Sequence, residues 1–367
     1  MATIAVAGSI AQRPRRPGHA WVFLSYLMGF RELGYEVLFI DRLEAGGDPG
    51  WLATAMAQGG LEGRYAALRG ERDSVGMPRA QVLEELRRSQ LLLNVNGFLA
   101  DPELLAAAPR RVYLDIDPGF GQIWAEQGLA DTFTGHDEFV TVGTNLGGEG
   151  CTVPLLGREW IPMLPPVLLD RWPLAAEGRG FTSVGSWRGP FGPIEHGGRV
   201  LGLRVHEFRR FLELPSRVAA PFEIALEIDA ADAADLAALR GSGWGVVDPL
   251  EQLGGFDSYG DYIRGSLAEV SIAKQLYVAT RGGWFSDRSA TYLACGKPVI
   301  AQDTGFAAAL PTGAGLLRFD DPDGAAAAAE EVLARPRQHA RAARELAEEH
   351  LDSRRVLGRL LDRLGAR

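Results

Sequence analysis

Twice along this chain a short, unbroken apolar run is followed by a helix-like stretch and then by another apolar run. Thr3–Ala7 closes at Gly8, His19–Leu33 is apolar on nearly every face and stops at Gly34, and Glu36–Ile40 closes at Asp41. An apolar run without alternation suits a strand buried on both faces. Glycine directly after a helix-like stretch suits a helix stop. Strand, helix and strand within about 40 residues make a βαβ unit, and such units build parallel sheets. Between the first strand and the helix lies a Pro- and Arg-rich loop, Ser9–Gly18.

The pattern goes on with strand-like runs at Leu91–Val95, Arg111–Leu114 and Glu138–Val142. It is interrupted at Ile161–Gly178, where Pro162, Pro165, Pro166 and Pro173 mark an inter-domain linker. A second series follows. Phe181–Val184, Phe222–Glu227, Trp244–Val247, Glu269–Ile272 and Pro298–Ala301 read as strands. Leu203–Leu214, Ala231–Arg240 and Asp287–Cys295 read as helices, the last with Ser286 as N-cap. Gly324–Leu364 is helical with a break near Pro336. The expected architecture is α/β, with two Rossmann-like βαβ domains and a helical C-terminal tail. The expected boundaries are 1–170, 171–345 and a last helix over 346–367 that packs back toward the first domain.

Composition narrows the function. With 367 residues, the chain is longer than one hydrophobic core usually supports. A net charge of −9 lacks the footprint of a nucleic-acid binder. The only cysteines are Cys151 and Cys295, which excludes a Cys-rich metal site and suits a reducing cytoplasm. No apolar run is long enough for a membrane helix, and the basic cluster Arg13, Arg15 and Arg16 follows the N-terminal apolar run, the wrong order for a secretory signal. The abundance of Ala, Gly and Arg fits a GC-rich bacterial genome. Only Lys274 and Lys297 break the Arg usage, so each is a candidate for a role that needs a compact ammonium.

Ligands of doubly wound sheets bind at the carboxyl ends of the strands, and for two such lobes the expected site is the cleft they face. The first turn has one glycine of the three in a dinucleotide fingerprint, there is no phosphate-loop motif, and no His cluster offers a metal site. The most informative segment is Gly282–Phe306, GGWFSDRSATYLACGKPVIAQDTGF. It reads as a loop, a capped helix, a Gly-Lys-Pro turn, a buried strand and a second glycine loop. A helix starting at Ser286, Asp287, Arg288 and Ser289 aims its N–H groups and positive dipole end at a ligand, which suits a phosphate or diphosphate. Arg288 can add a bidentate charge. The plainer reading is that Ser286 and Asp287 only cap the helix.

LACGKPVIAQDTGF resembles the donor-lobe segment of GT-B-fold glycosyltransferases of the group 1 type. Gly18-His19 opening a helix, followed by Leu33-Gly34-Tyr35-Glu36-Val37, resembles the acceptor-lobe start of the same superfamily. As architecture the likeness covers nearly the whole chain; as motif it covers only these segments. It implies transfer of a sugar from a nucleoside-diphosphate sugar to a hydroxyl acceptor, such as a small natural product. The sugar nucleotide is a co-substrate, so no resident cofactor and no metal are implied. One departure is plain. Many retaining members place two glutamates around this helix; on this sequence they fall on Gly283 and Thr291. Asp287 and Glu269 are the nearest acidic replacements.

The candidate donor contacts are Ser186, Arg188, Glu269, Lys274, Ser286, Asp287, Arg288, Ser289, Asp303, Thr304 and Gly305. Lys274 is a candidate to neutralise the leaving diphosphate, and Lys297 reads as a turn residue. His19 is the candidate general base, with Asp117 to orient it. Gly18, Trp21 and His136 are acceptor-side candidates; core packing competes for Trp21. An NDP-sugar epimerase of the same fold and a non-catalytic sugar-nucleotide-binding partner are the rival readings.

Overall fold

The computed structural model describes residues 2–70, 73–176 and 178–366. It divides into two compact units. Unit 1 comprises Met1–Gly143, Pro154–Leu168 and Asp352–Arg367, and unit 2 comprises Thr144–Val153 and Leu169–Leu351.

The strands of unit 1 are β1 (Thr3–Gly8), β2 (Glu36–Arg42), β3 (Tyr65–Arg69), β4 (Asp73–Gly76), β5 (Ser89–Val95), β6 (Arg111–Asp115), β7 (Glu138–Thr141) and β8 (Trp160–Pro162). They form one sheet in the order β4-β3-β2-β1-β5-β6-β7-β8. Every pairing is parallel except β3 with β4. The order reverses between β1 and β5, which puts the topological switch point at the carboxyl ends of those two strands. The first helix, Pro17–Glu32, has proline in its opening turn and is followed by Gly34 at φ +89°. It packs closely on β1. A Cβ on Gly8 would meet the Phe23 ring at 2.3 Å, so only glycine fits there. The last helix, Ser353–Arg363, lies on the first one, with Leu357 over Gly29 and Ser353 and Arg354 both donating to the Glu32 carboxylate.

Unit 2 contains β9 (Phe181–Ser186), a hairpin of β10 (Ile194–His196) and β11 (Arg199–Leu201), then β12 (Phe222–Glu227), β13 (Trp244–Val247), β14 (Ala268–Ser271), β15 (Val299–Gln302) and β16 (Leu316–Phe319). Apart from the hairpin they form a six-stranded parallel sheet, β13-β12-β9-β14-β15-β16. The switch point here lies between β9 and β14. Those strands pair only at Ala268–Phe181 and Glu269–Thr182, and no pairing joins their carboxyl ends.

The structure departs from the sequence expectation in several places, and β3, β4 and β16 are sheet strands that the sequence reading did not include. Thr144–Val153, read as part of the first domain, belongs to unit 2. The proline segment is not wholly a linker, since Trp160–Pro162 is a sheet strand and unit 1 continues to Leu168. Proline is tolerated there because β8 is the edge strand. No helix among the described residues is long and apolar enough to cross a membrane.

Candidate anion site and candidate base

The open end of the β9–β14 pair holds a cluster of buried charge. Gly185 lies near the end of β9, and a Cβ there would meet Arg204 Nη1 at 2.5 Å. The absence of a side chain lets the Arg204 guanidinium lie on the strand end. Arg204 opens the helix Arg204–Phe208, is buried, and has no hydrogen-bond partner for Nη1. Arg288, in the first turn of the helix Asp287–Ala294, donates through Nε to Glu269 and through Nη2 to Ser271 Oγ at 3.3 Å. Glu269 is fully buried, and its Oε2 has no partner. Ser289 Oγ is buried and unpartnered as well.

Charge balance gives the cluster its character. Two guanidiniums share one carboxylate. Burial, then repulsion from Arg288, lowers the Arg204 pKa to about 9, only partly opposed by Glu269. For Arg288 burial also acts against the charge, but the adjacent Glu269 carboxylate outweighs it and holds the pKa above the ordinary arginine value. Arg204 is therefore charged at neutral pH without a carboxylate of its own. Ser286 occupies the N-cap position of the adjacent helix, yet its side chain makes no capping bond. An uncapped helix start beside an uncompensated guanidinium is complementary to an anion.

The other donor-side candidates take distinct places. Ser186 ends β9 and is half-buried. Arg188 is bound to Asp232 with Nε–Oδ2 at 2.7 Å and is half-exposed. Arg204, not Arg188, is the arginine placed on the strand end. Glu269 is sealed from solvent and binds Arg288 through Oε1, so it anchors that guanidinium. Lys274 Nζ donates to Tyr277 Oη at 3.0 Å. Asp303 is buried between Arg281 and Arg318, each at 3.3 Å, and accepts from Gly305 N at 2.8 Å. Thr304 Oγ1 donates to the Trp284 carbonyl at 2.5 Å, and Gly305 closes the turn at φ +95°. Lys297 is buried in its turn and donates to the Ala176 carbonyl.

The Thr144–Val153 segment explains why no acidic side chain stands at position 283. Thr144 N and Oγ1 donate to the Gly283 carbonyl at 3.2 and 3.0 Å, and Asn145 N donates to the Gly282 carbonyl at 3.1 Å. Gly283 has φ +83°, and a Cβ there would meet Asn145 N at 2.3 Å. At position 291, Thr291 Oγ1 donates to the Asp287 carbonyl within the helix.

In unit 1, His19 and Asp117 come to the carboxyl edge of the sheet. His19 Nε2 donates to the Ser9 carbonyl at 3.1 Å, which leaves Nδ1 as the basic nitrogen. Burial is the main cause that lowers its pKa to about 4; Arg13 and Arg16 act the same way, while Asp117 opposes them. His19 is thus neutral at pH 7. The Asp117 N–H donates to Asp115 Oδ1 at 3.0 Å, and Asp115 also accepts from Gln122 and Thr141. Burial raises Asp115 to about 6, and it raises Asp41, which accepts from Ala11 N at 2.7 Å, to about 7. Gly18 lies in the first helical turn, and Trp21 is buried in the core. His136 stands elsewhere, before the amino end of β7. Its Nδ1 donates to the Phe133 carbonyl and its Nε2 accepts from Asn94 Nδ2 at 2.9 Å.

Sequence reasoning missed Arg204, Asp41 and Asp115. The β10–β11 hairpin separates Arg204 from β9, so the nearer Arg188 drew the assignment. Its signal was a Gly202-Leu203-Arg204 helix opening after a glycine-rich loop. Among the described residues no group of three or more His, Cys, Asp or Glu is arranged to hold a metal ion.

Residues 228–362 match the family model described as glycosyl transferase-like. A search of curated proteins by sequence finds no match. Among solved structures, HepE of Anabaena in complex with UDP matches with a TM-score of 0.61 at 11% identity, covering 100% of both chains. AviGT4, a glycosyltransferase involved in avilamycin A biosynthesis, matches at 0.61 and 15%, covering 99% of this chain and 96% of its own. Sucrose-phosphate synthase from Thermosynechococcus elongatus matches at 0.55 and 13%, with 100% of both chains covered. The fold is that of the GT-B glycosyltransferases.

Proposed function

We propose that the protein is a glycosyltransferase that moves a sugar from a nucleoside-diphosphate sugar to a hydroxyl acceptor, a small natural product by class. The observation that carries this reading is the buried Arg204–Arg288 pair sharing the single carboxylate of Glu269. A diphosphate supplies the missing negative charge. Its charge grows as the bond from its terminal oxygen to the sugar breaks, so fixed guanidiniums and the Asp287–Ala294 helix start stabilise the departing group more than the intact donor. The match of residues 228–362 to a glycosyl transferase-like model supports the same assignment, as does the fold shared with HepE in complex with UDP.

Unit 2 carries the donor and unit 1 the acceptor. In an inverting reaction the acceptor oxygen bonds to the anomeric carbon, the diphosphate leaves, and His19 Nδ1 takes the hydroxyl proton. A His19 that is neutral at pH 7 is in the right state for this. In a retaining reaction the leaving diphosphate guides the proton, and His19 binds the sugar. Charge neutralisation by the two arginines makes a metal dispensable, so turnover should persist in EDTA. Two free thiols fit a cytoplasmic setting.

The test is incubation with a panel of NDP-sugars, with and without hydroxyl acceptors. Acceptor-dependent release of nucleoside diphosphate, with a matching mass gain on the acceptor, is the expected result. Isomerisation of the donor without acceptor would mean an epimerase, and no consumption of any sugar nucleotide would overturn the reading.

A further inference from the structure

Just upstream of the anion-site helix in the chain stands an indole, that of Trp284. Trp284 precedes the helix Asp287–Ala294 by three residues, within about 10 Å of its start even at full extension. One face stacks on Tyr277, centroids 4.6 Å apart and planes at 27°. Tyr277 is itself buried, with its hydroxyl held by Lys274 Nζ at 3.0 Å. Tyr277 is the one ring stacked on Trp284 among the described residues, and Trp284 is half-buried. Its Nε1–H has no acceptor among the described residues and is not sealed in the core.

The backbone around this side chain is fixed from two sides. Thr304 Oγ1 donates to the Trp284 carbonyl at 2.5 Å, and Gly283 N donates to the Thr304 carbonyl at 2.7 Å. From the other side Thr144 and Asn145 hold the Gly282 and Gly283 carbonyls, and Asn145 Nδ2 holds that of Arg281 at 2.8 Å. Arg281 and Gly283 both have positive φ, 51° and 83°. Two left-handed residues and this many bonds hold the backbone that carries the Tyr277-stacked indole in one conformation.

Resting on the glycosyltransferase reading, we infer that the Trp284 face opposite Tyr277 binds the apolar C–H face of the transferred sugar, with its indole N–H donating to a sugar oxygen. The choice of the sugar follows from connectivity. The sugar is bonded directly to the phosphate nearest the reacting bond, whereas the nucleobase lies beyond a second phosphate and a ribose. An indole pairs a flat apolar surface with a single donor, which suits a pyranose. Trp284 is then a specificity-determining residue for sugars with an unbroken axial C–H face, and Thr144 and Asn145 are positioning residues that act through it.

The test compares binding of UDP and dTDP with that of their glucose conjugates, by titration calorimetry on the full chain. Trp284→Ala should weaken the sugar nucleotide about tenfold while leaving the free diphosphate within twofold. Trp284→Leu keeps bulk without a ring face and should behave like the alanine variant, which covers the case in which alanine loosens the loop. Trp284→Phe should retain most of the affinity. Equal losses for free diphosphate and conjugate would overturn the inference in favour of base stacking or scaffolding, and no loss for either would overturn it outright. If neither UDP nor dTDP binds the unaltered protein, the comparison is made with GDP and its glucose conjugate, and if none of the three diphosphates binds, the glycosyltransferase reading fails instead.

Discussion

Replacing Arg204 by methionine should make the empty protein more stable while weakening its response to nucleotide. Burial, then Arg288, holds the Arg204 pKa at about 9, well below the ordinary arginine value. At 1.36 kcal/mol per pH unit, that depression corresponds to roughly 5 kcal/mol lost by keeping the group charged at pH 7. Methionine fills similar space and leaves the Arg288–Glu269 pair balanced one to one. Replacing buried ionic groups by apolar residues of similar volume is often neutral or stabilising by about 1–4 kcal/mol; with Arg204 lacking a carboxylate of its own, a gain of about 2–3 kcal/mol and a melt several degrees higher are expected. The sign follows from proton binding. Above pH 9 the folded Arg204 gives up a proton that the unfolded chain still holds, so stability of the unaltered protein rises with pH there. The gap to Arg204→Met therefore narrows above pH 9. Calorimetric melts at pH 7 and pH 10, with and without UDP, provide the assay. At 100 times its Kd, a ligand stabilises by about 2.7 kcal/mol, and a binding loss of tenfold or more should cut this increment to about 1.4 kcal/mol or less in the variant. A lower melt for Arg204→Met, or an undiminished UDP response, would refute the reasoning.

Other expectations follow from the same geometry. Gly283→Ala places a Cβ against Asn145 N in a left-handed backbone and should cost about 2–4 kcal/mol in chemical denaturation, with loss of sugar-nucleotide binding. His19 is held at about 4, so a kcat/KM profile should show its acid limb near pH 4, and His19→Gln should lower kcat/KM by at least about a hundredfold in an inverting reaction. A limb near 6.5 would contradict the buried setting. The Asp41 carboxyl is raised to about 7, so the folded state keeps its proton longer than the unfolded chain and stability falls as pH rises from about 4 to 7. Urea midpoints at pH 5 and pH 8 should show that fall shrinking in Asp41→Asn. Turnover in EDTA should match turnover with added magnesium, because Arg204 and Arg288 carry the countercharge.

The central strands of both sheets were legible because buried parallel strands leave unbroken apolar runs, as in Thr3–Gly8 and Val299–Gln302, whereas the outer strands Tyr65–Arg69, Asp73–Gly76, Trp160–Pro162 and Leu316–Phe319 were not. Gly34 marked a helix end for the same local reason. The helix start at Ser286–Ser289 was visible through its capping residues, although Ser286 turned out to make no side-chain cap bond. What stayed hidden depends on non-local packing. Thr144–Val153 has no periodicity to show that it bonds to Arg281–Gly283, far along the chain. Arg204 is one arginine of many until the hairpin and Gly185 place it on the strand end. That Glu269 anchors Arg288 was not legible, because a carboxylate in a strand gives no sign of what covers it. Asp41 and Asp115 looked like ordinary polar residues at strand ends, and only burial distinguishes them.

The most direct measurement of the central claim is titration calorimetry of the unaltered protein with UDP, dTDP, GDP and inorganic pyrophosphate near neutral pH. The buried Arg204–Arg288 pair predicts saturable binding of at least one nucleoside diphosphate, weakened at least tenfold by Arg204→Met. No binding of any of the four at millimolar concentration would contradict the account.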